Sequence, residues 1–247
     1  MRKGLLYGDD FTDSTSGWAN ELVFDNYYVG YHEPDYYHVE VHQPLDSTLV
    51  VLPEQSFDDA TVETEVFVSQ ANTAPDGDFR YGLVVRRSGK QFYAFTISPR
   101  TKTWSVLKGS PSGLEVLEEN TEPSIQGLEA ADVLRIDAKG SAFNFHINGN
   151  IVSQINDPDY GSGEVGFFVE TYDGPRAHIH YDWLIIQNVE AALLSLPGVL
   201  YGDDFTDSTS GWANELVFNN YYVGYHEPDY YHVEVHQPLD STLAVLP

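Results

Sequence analysis

Residues 143–155 read FNFHINGNIVSQI. Apolar and polar side chains alternate on both sides of Asn148-Gly149, which is the pattern of two strands that each bury one face. Asn-Gly suits a two-residue hairpin turn, because both central residues of a type I′ turn need a positive φ. The stretch therefore predicts an antiparallel hairpin, and the sequence on either side continues the same pattern.

Strand signals run through residues 5–190. Two more hairpin turns are predicted at Ser88-Gly89 and Lys139-Gly140. Further strands are predicted at residues 27–31, 36–41, 48–52, 61–69, 104–107, 164–170 and 177–187. No window carries the 3.6-residue apolar stripe of a helix. We therefore predict an all-β fold, a two-sheet antiparallel sandwich in which residues 54–190 form two successive meanders.

A tandem repeat organises the chain. Residues 5–53 return at residues 199–247, a shift of 194 positions, with differences only at Leu5/Val199, Asp25/Asn219 and Val50/Ala244. We call residues 5–53 the head, residues 54–190 the body and residues 199–247 the second head. The predicted domains are a repeat unit at 5–190, a joint at 191–198 and a partial second copy at 199–247. A 49-residue piece of short strands needs a partner to bury its apolar surface, so either heads pair with heads or the array continues into a further body.

The joint reads AALLSLPG, which is short and apolar where a flexible linker would be rich in Gly, Ser or charge. One interpretation is that consecutive units pack against each other in a fixed orientation, and the other is that these residues cap their own domain. The first interpretation predicts an interface between units. Its candidate residues are Leu193, Leu194, Leu196, Pro197, Tyr221, Tyr222, Tyr225, Tyr230 and Tyr231.

Six motifs follow one another along the unit: GDDFTDSTSGW at 8–18, YGLVVRR at 81–87, FYAFTI at 92–97, INGNIV at 147–152, GEVGFFVE at 163–170 and HYDWLII at 180–186. In this order they resemble the bacterial concanavalin A-like or laminin-G-like jelly-roll domains. The resemblance implies a concanavalin A-like jelly roll and an extracellular or cell-surface location. Such domains serve as sugar-binding modules, adhesive or stalk repeats and occasionally glycosidases, so it implies architecture more firmly than activity.

The resemblance also implies that the first and last strands lie close together, which would place Phe11 and Trp18 near Tyr181 and Trp183. Family members often hold a structural calcium ion at the rim of the sandwich. Calcium takes carboxylate oxygens from loops. The candidate ligands here are Asp9, Asp10, Asp13, Asp76 and Asp78.

The charge excludes several partners. The chain has 38 acidic and 12 basic residues, a formal charge of −26, and a surface this negative repels nucleic acids and anionic lipids. No apolar run approaches the roughly 18 residues of a membrane span. There are no cysteines, so disulfides and thiolate catalysis are excluded.

Catalytic residues are not predicted. A retaining glycosidase needs two carboxylates about 5 Å apart, usually from an E-x-D-x-x-E strand. Glu63-Thr64-Glu65 places neighbouring residues on opposite faces and Glu118-Glu119 is predicted to lie in a loop, so neither forms an acid and nucleophile pair. No nucleophile elbow or phosphate-binding glycine loop is present either. We therefore predict that the chain is not an enzyme.

Two strands carry alternating metal-ligating residues. His38, Glu40 and His42 share one strand face, and His178, His180 and Asp182 share another. Three such residues span roughly 13 Å along a strand, too far for one ion, but an adjacent pair could chelate a metal with help from a neighbouring strand. The alternative is a solvated polar face.

Five head tyrosines form the candidate carbohydrate-binding set: Tyr27, Tyr28, Tyr31, Tyr36 and Tyr37. Their rings lie close in sequence to carboxylates, a combination that suits stacking on pyranose rings. Ordinary strand packing or a tyrosine-rich interface explains the same pattern. A second surface is predicted from basic residues of the body that could meet the acidic head of the next unit and set its register. These are Arg86, Arg87, Lys90, Arg100 and Lys102. The alternative is a mixed surface with only a local asymmetry of charge.

The function that these features predict is structural. We expect a non-enzymatic repeat of an extracellular tandem-repeat or filament-forming protein whose units bind one another head to tail, since such contacts yield an open fibre. The alternative is a carbohydrate-binding module whose repetition raises its avidity for a polysaccharide. No cofactor is predicted with certainty, and calcium is the candidate ion.

Overall fold

The computed structural model describes residues 4–32, 36–69, 78–128, 130–174, 176–189, 216–217, 221–226 and 230–235, the last three segments as backbone only. The chain divides into two compact units, Met1–Val189 and Glu190–Pro247. No helix in the described ranges is long and apolar enough to span a bilayer.

Nearly all regular secondary structure in the described part of the first unit consists of β-strands. In chain order these are β1 (Leu5–Asp9), β2 (Leu22–Val23), β3 (Tyr27–His32), β4 (Tyr36–Val41), β5 (Ser47–Val51), β6 (Ala60–Val68), β7 (Phe79–Ser88), β8 (Gln91–Ser98), β9 (Thr103–Ser110), β10 (Gly113–Thr121), β11 (Asp132–Lys139), β12 (Ala142–Ile147), β13 (Asn150–Asn156), β14 (Glu164–Thr171) and β15 (Ala177–Gln187).

These strands form two sheets. The nine-stranded sheet has the order β13-β12-β11-β6-β15-β4-β3-β2, with β1 also paired to β15, and the six-stranded sheet has the order β10-β9-β8-β7-β14-β5. All neighbours are antiparallel. The head contributes strands to both sheets, and the body adds the meanders β7–β10 and β11–β13 before β14 and β15 return to the head. The prediction of an all-β, two-sheet antiparallel jelly-roll sandwich is confirmed.

One apolar core lies between the sheets, and aromatic rings fill it where the head meets the body. The ring of Phe167 stacks on Trp18 with centroids 4.9 Å apart and on Tyr181 at 3.7 Å. Phe11 packs edge-on against the same Phe167 ring at 6.2 Å. The expected proximity of Phe11 and Trp18 to Tyr181 is therefore realised through Phe167.

Trp183 lies on the other side of the sheet. A bulge between Tyr181 and Trp183 shifts the register of β15 against β6, so Trp183 pairs with Glu65 and Leu184 pairs with the fully buried Thr64. A bulge inserts one residue and re-aims the side chains that follow it. The expectation that Trp183 would join Phe11 and Trp18 is therefore wrong.

The hairpin turn at Asn148-Gly149 is confirmed, with φ values of 51° and 81°. The other two predicted turns lie one residue further along the chain. Ser88 pairs with Gln91 and Lys139 pairs with Ala142, so the loops are residues 89–90 and 140–141. In each loop glycine takes the first position, at φ 61° and 55°, as a type II′ turn requires.

A second bulge turns Arg86 into the interior. The register of β7 shifts here against β8 and β14, and the Arg86 side chain is 1% exposed. Its guanidinium donates hydrogen bonds to three carbonyls, those of Gly140 at 2.6 Å, Tyr160 at 2.9 Å and Asp58 at 3.3 Å. Arg86 therefore holds three loops together and is not available to an acidic neighbouring unit.

Three other members of the predicted basic surface also have partners within the unit. Arg87 donates to Glu164 at 2.5 Å, Arg100 lies 3.6 Å from Asp78, and the Lys102 ammonium donates to a backbone carbonyl. A docking role for these residues would have to compete with the contacts that they already make. The prediction of a five-residue basic docking surface is wrong for Arg86, because its guanidinium is buried.

The second unit contains a three-stranded antiparallel sheet of β16 (Leu216–Val217), β17 (Tyr221–His226) and β18 (Tyr230–Val235). Its register repeats that of β2, β3 and β4, since Tyr221 pairs with Val235 as Tyr27 pairs with Val41. The side chains of the five interface tyrosines are not described, and Leu193, Leu194, Leu196 and Pro197 lie outside the described residues. The interface between units stays a prediction.

Candidate functional site

The side of the nine-stranded sheet that faces away from the core is rich in polar and aromatic residues. Along β4, Tyr37, Val39 and Val41 are fully buried in the core, so the alternate residues point outward. The pairing between strands places outward-facing residues of β3, β15, β6, β11 and β12 beside those of β4, so these strands share one outer face. We call it the polar face, and it comprises Tyr28, His32, Tyr36, His38, Glu40, Glu63, Glu65, Phe67, Arg135, Asp137, His146, His178, His180 and Trp183.

Three histidines converge at the centre of the polar face. His38 on β4 lies directly opposite His180 on β15, and His178 is two residues from His180 on the same strand face. The Nε2 atoms of His178 and His180 are 2.7 Å apart. The rings of His38 and His178 stack with centroids 4.0 Å apart. The sequence analysis allowed a metal site made of two histidines from one strand and one residue from a neighbouring strand. His178 and His180 on β15, together with His38 on β4, have this arrangement.

Burial and charge set the protonation of this cluster. His38, His178 and His180 are at most 7% exposed. Burial, followed by the nearby His178 and His38, lowers the pKa of His180 to about 3. Burial alone would raise the pKa of Glu40, but its contacts with His38 at 2.9 Å and His42 at 2.8 Å outweigh this and lower the value to about 2. At neutral pH the cluster therefore presents a neutral His180 beside an ionised Glu40.

A second buried polar network lies further along the face, on β11, β12 and β6. Asp137 accepts hydrogen bonds from Arg135 Nε at 2.8 Å and Thr61 Oγ1 at 2.7 Å, and its other oxygen lies 2.8 Å from His146 Nε2. Burial raises the pKa of Asp137, but the hydrogen bonds from His146, Arg135 and Thr61 prevail and lower it to about 2. Sequence reasoning missed this network, although the alternation Arg135-x-Asp137 within an apolar strand is a signal for it.

We expect this network to make stability depend on pH. Because the pKa of Asp137 is about 2 in the folded protein and about 3.8 in a model compound, its contribution is present above about pH 4 and is lost as the pH falls towards 2. The shift corresponds to about 2 kcal/mol. Urea unfolding at several pH values should show that Asp137→Asn is less stable at pH 7 and loses less stability between pH 4 and 2.

Asp159→Asn is the control for this experiment, because Asp159 is an exposed partner of Lys108 and exposed ion pairs contribute little. Equal pH slopes for the parent and Asp137→Asn between pH 4 and 2 would contradict the assignment.

Aromatic rings and carboxylates adjoin the histidines. Tyr36 stacks on His180 with centroids 5.1 Å apart and meets the edge of Phe67 at 5.1 Å. Glu65 lies on the same face two residues before Phe67, and burial together with the charge of Asp182 raises its pKa. Tyr36, Phe67 and Trp183 are all partly exposed. This part of the face offers flat rings beside hydrogen-bond acceptors.

The five candidate tyrosines divide between the two sides of the sheet. Tyr28 and Tyr36 lie on the polar face, where Tyr28 contacts the His38 ring at 5.2 Å. Tyr37 is fully buried and donates to the Ala19 carbonyl, while Tyr31 and Tyr27 pack against the core. Tyr27, Tyr31 and Tyr37 are therefore corrected to core-side residues, because odd-numbered positions of β3 and β4 face inward.

The described carboxylates of the predicted calcium site make local contacts, and the calcium site stays a prediction. Asp10 and Asp13 each accept the backbone N–H and hydroxyl of a threonine two residues later. Asp9 accepts the Phe11 N–H and the hydroxyls of Tyr7 and Ser16. Asp78 pairs with Arg100. No three carboxylates converge within the described ranges, and Asp76 lies outside them.

The glutamates considered for catalysis lie on two different sheets. Glu118 and Glu119 belong to β10 of the six-stranded sheet, so the predicted loop is wrong there. They accept hydrogen bonds from Ser153 at 2.5 Å and Ser105 at 2.8 Å. Glu63 and Glu65 share the polar face, since Thr64 between them points into the core. Asp182 is close enough for its charge to raise the pKa of Glu65, a proximity that sequence reasoning missed because the bulge in β15 was not visible.

A groove of about 540 Å³ lies on the outer side of the six-stranded sheet. Phe92, Phe168, Leu49 and Leu114 line it together with Gly109 and a serine-rich turn at 110–113. A side chain at Gly109 would collide with the Phe92 ring at 2.1 Å, so glycine allows that ring to lie against β9.

The fold is similar to several solved structures. A Bacillus subtilis protein with a galectin-like fold has 12% identity and a TM-score of 0.58, over 76% of this chain and 97% of that one. A Bacteroides ovatus mixed-linkage glucan GH16 protein has 12% identity and a TM-score of 0.55, over 74% and 100%. A Bacillus licheniformis β-glucanase has 9% identity and a TM-score of 0.53, over 75% and 99%.

No protein-family model matches the chain, and no curated protein matches its sequence. The structural similarities therefore establish the jelly-roll architecture, which hosts unrelated activities.

Proposed function

We propose that the first unit is a non-enzymatic carbohydrate-binding module that binds a polysaccharide on the polar face. The observation that carries the proposal is the contiguous surface of Tyr36, Phe67 and Glu65, in which two partly exposed rings with centroids 5.1 Å apart adjoin a carboxylate. Rings supply apolar area at low entropic cost, and carboxylates accept hydrogen bonds from sugar hydroxyls.

The neighbouring structures support the same class of ligand. Two of the three similar structures carry names that record glucans or a glucanase, and the name of the third records a galectin-like fold without a ligand. A polysaccharide also suits a chain with a net charge of −26, because a neutral glycan is not repelled as a nucleic acid would be. Binding to a neutral glucan is therefore the form of the proposal to test first.

The experiment is affinity electrophoresis of the full chain in gels containing mixed-linkage β-glucan, laminarin, xylan or no polysaccharide. We expect retardation by at least one glycan, and a loss of affinity of about tenfold for each of Tyr36→Ala and Trp183→Ala, the cost of one stacked ring. Circular dichroism and thermal melting confirm that each variant folds.

Phe92→Ala is the matched control, because Phe92 is a partly exposed ring in the groove of the six-stranded sheet. Retention of binding in Phe92→Ala and its loss in Tyr36→Ala is the expected pair of results. The reverse pair would place the glycan in the groove and overturn the assignment to the polar face. No retardation by any glycan would count against carbohydrate binding itself.

The non-enzymatic part of the proposal has its own readout. Incubation with the same glycans should release no reducing ends, because the described carboxylates form no E-x-D-x-x-E array. Release that Glu65→Gln abolishes would show instead that Glu65 and Asp182 form a catalytic pair.

Head-to-tail stacking stays a prediction for the joint. Leu194→Asp and Leu196→Asp would shorten any polymer, as judged by light scattering and negative-stain images. Unchanged assembly of these variants would show that the joint does not order the units.

A further inference from the structure

We infer that His38, His178 and His180 bind one divalent transition-metal ion of the zinc class. One ring nitrogen from each histidine lies within 4.8 Å of those of the other two. Nitrogen ligands at 2.0–2.1 Å from a tetrahedral zinc ion are about 3.3 Å from each other. The Nε2 atoms of His178 and His180 lie 2.7 Å apart, and the upper bound for the three nitrogens is 4.8 Å, so the spacing in a zinc site falls between these two distances.

The backbone already holds these rings in place. His178 and His180 project from one side of β15, and the antiparallel register sets His38 opposite His180. The neighbouring rings of Tyr36 and Phe67 lie 5.1 and 5.0 Å from His180 and limit its movement. A site of three histidines on paired strands needs no movement of the main chain, so little conformational entropy is lost when the ion binds.

The hydrogen bonding of the cluster also indicates a missing partner. The Nδ1 atoms of His38 and His180 are buried and have no hydrogen-bond partner among the described residues. Buried polar atoms are normally satisfied. Coordination to a metal ion would give these Nδ1 atoms a partner.

The donor set selects the ion. Three imidazoles suit zinc, copper and nickel, whereas calcium and magnesium prefer oxygen. Glu40, 2.9 Å from His38 Nε2, is placed to orient a ligand as carboxylates do beside metal-bound histidines. Three histidines also leave a fourth position for water or another ligand, as in carbonic anhydrase. The site would join the head to the last strand of the body.

The test is titration of the metal-free full chain with Zn²⁺, and with Co²⁺ followed by its visible absorption. We expect one ion per chain, tetrahedral cobalt bands, and no competition from excess Ca²⁺ or Mg²⁺. His38→Gln and His180→Gln, on different strands, should each weaken Zn²⁺ binding by more than about 100-fold, since loss of an outer partner costs roughly 10–100-fold. Glu40→Gln should weaken Zn²⁺ binding by roughly 10–100-fold, the cost of losing an outer partner.

His146→Gln is the matched control, because His146 is equally buried on the same face but pairs with Asp137. It should bind Zn²⁺ as the parent does. The second head provides a further check, since His226, His232 and His236 repeat His32, His38 and His42 without counterparts of His178 and His180. Two ions per chain, or equal loss in His146→Gln, would overturn the proposal.

A spectroscopic measurement on the parent protects the test from variants that fail to fold. X-ray absorption of the zinc-loaded chain should show imidazole scattering with Zn–N distances of about 2.0–2.1 Å. Oxygen-only coordination, or no binding, would overturn the proposal and leave a purely packed histidine cluster. The glycan assays use no added metal, so failure of one proposal does not decide the other.

Discussion

Replacing Phe167 by alanine should lower the free energy of unfolding of the first unit by about 3–5 kcal/mol, the range for buried Phe→Ala changes. Phe167 is fully buried and stacks on both Trp18 and Tyr181. Its removal leaves a cavity at the point where the head packs on the body, and the strands on either side restrict how far that cavity can close. Urea unfolding followed by tryptophan fluorescence measures the effect.

Phe24→Ala is the control for this prediction, because Phe24 is 48% exposed and its ring packs against Tyr27 at the surface. Its loss should cost less than about 1 kcal/mol, as is usual for surface changes. If Phe167→Ala and Phe24→Ala unfold at the same urea concentration, the ring cluster does not hold the head to the body.

The second large effect is expected for Arg86→Met. Methionine keeps much of the aliphatic volume, but it removes the donors to the Gly140, Tyr160 and Asp58 carbonyls. It also removes a guanidinium that lies 4.7 Å from the Phe143 ring. Buried acceptors left without donors cost about 1–3 kcal/mol each, so we expect a total loss of about 3–5 kcal/mol, measured by thermal and urea unfolding.

Arg87→Met provides a matched comparison on the adjacent residue. The Arg87 side chain is 32% exposed and pairs with Glu164, and such pairs contribute at most about 1 kcal/mol. The loss in free energy of unfolding should therefore be several-fold larger for Arg86→Met than for Arg87→Met. A stability of Arg86→Met close to that of Arg87→Met would show that water replaces the lost donors.

The positions of most strands along the chain could be predicted from the sequence because alternation of buried and exposed residues is a local property. The hairpin at Asn148-Gly149 needs only its two turn residues and the flanking alternation. By contrast, β10 was missed because all its residues are exposed or half-exposed, so no alternation marks it.

The two bulges explain the main errors in the sequence interpretation. Each inserts one residue, and a shift of one residue exchanges the two faces of a strand. Arg86 therefore entered the interior, while Trp183 left it for the polar face. Nothing in the composition of YGLVVRR or HYDWLII reveals the bulge, because its position depends on the register with neighbouring strands.

The amino-acid sequence by itself determined the strand content, the Asn-Gly hairpin and the repetition of the head, since each depends on residues close together or on direct comparison of two segments. Only the tertiary structure decided which distant residues share a surface. His38 and His180 are 142 positions apart in sequence, yet they lie opposite each other because β4 pairs with β15. Pairing between distant strands depends on packing of the whole sandwich, and that packing places the histidines, Tyr36 and Phe67 on one face.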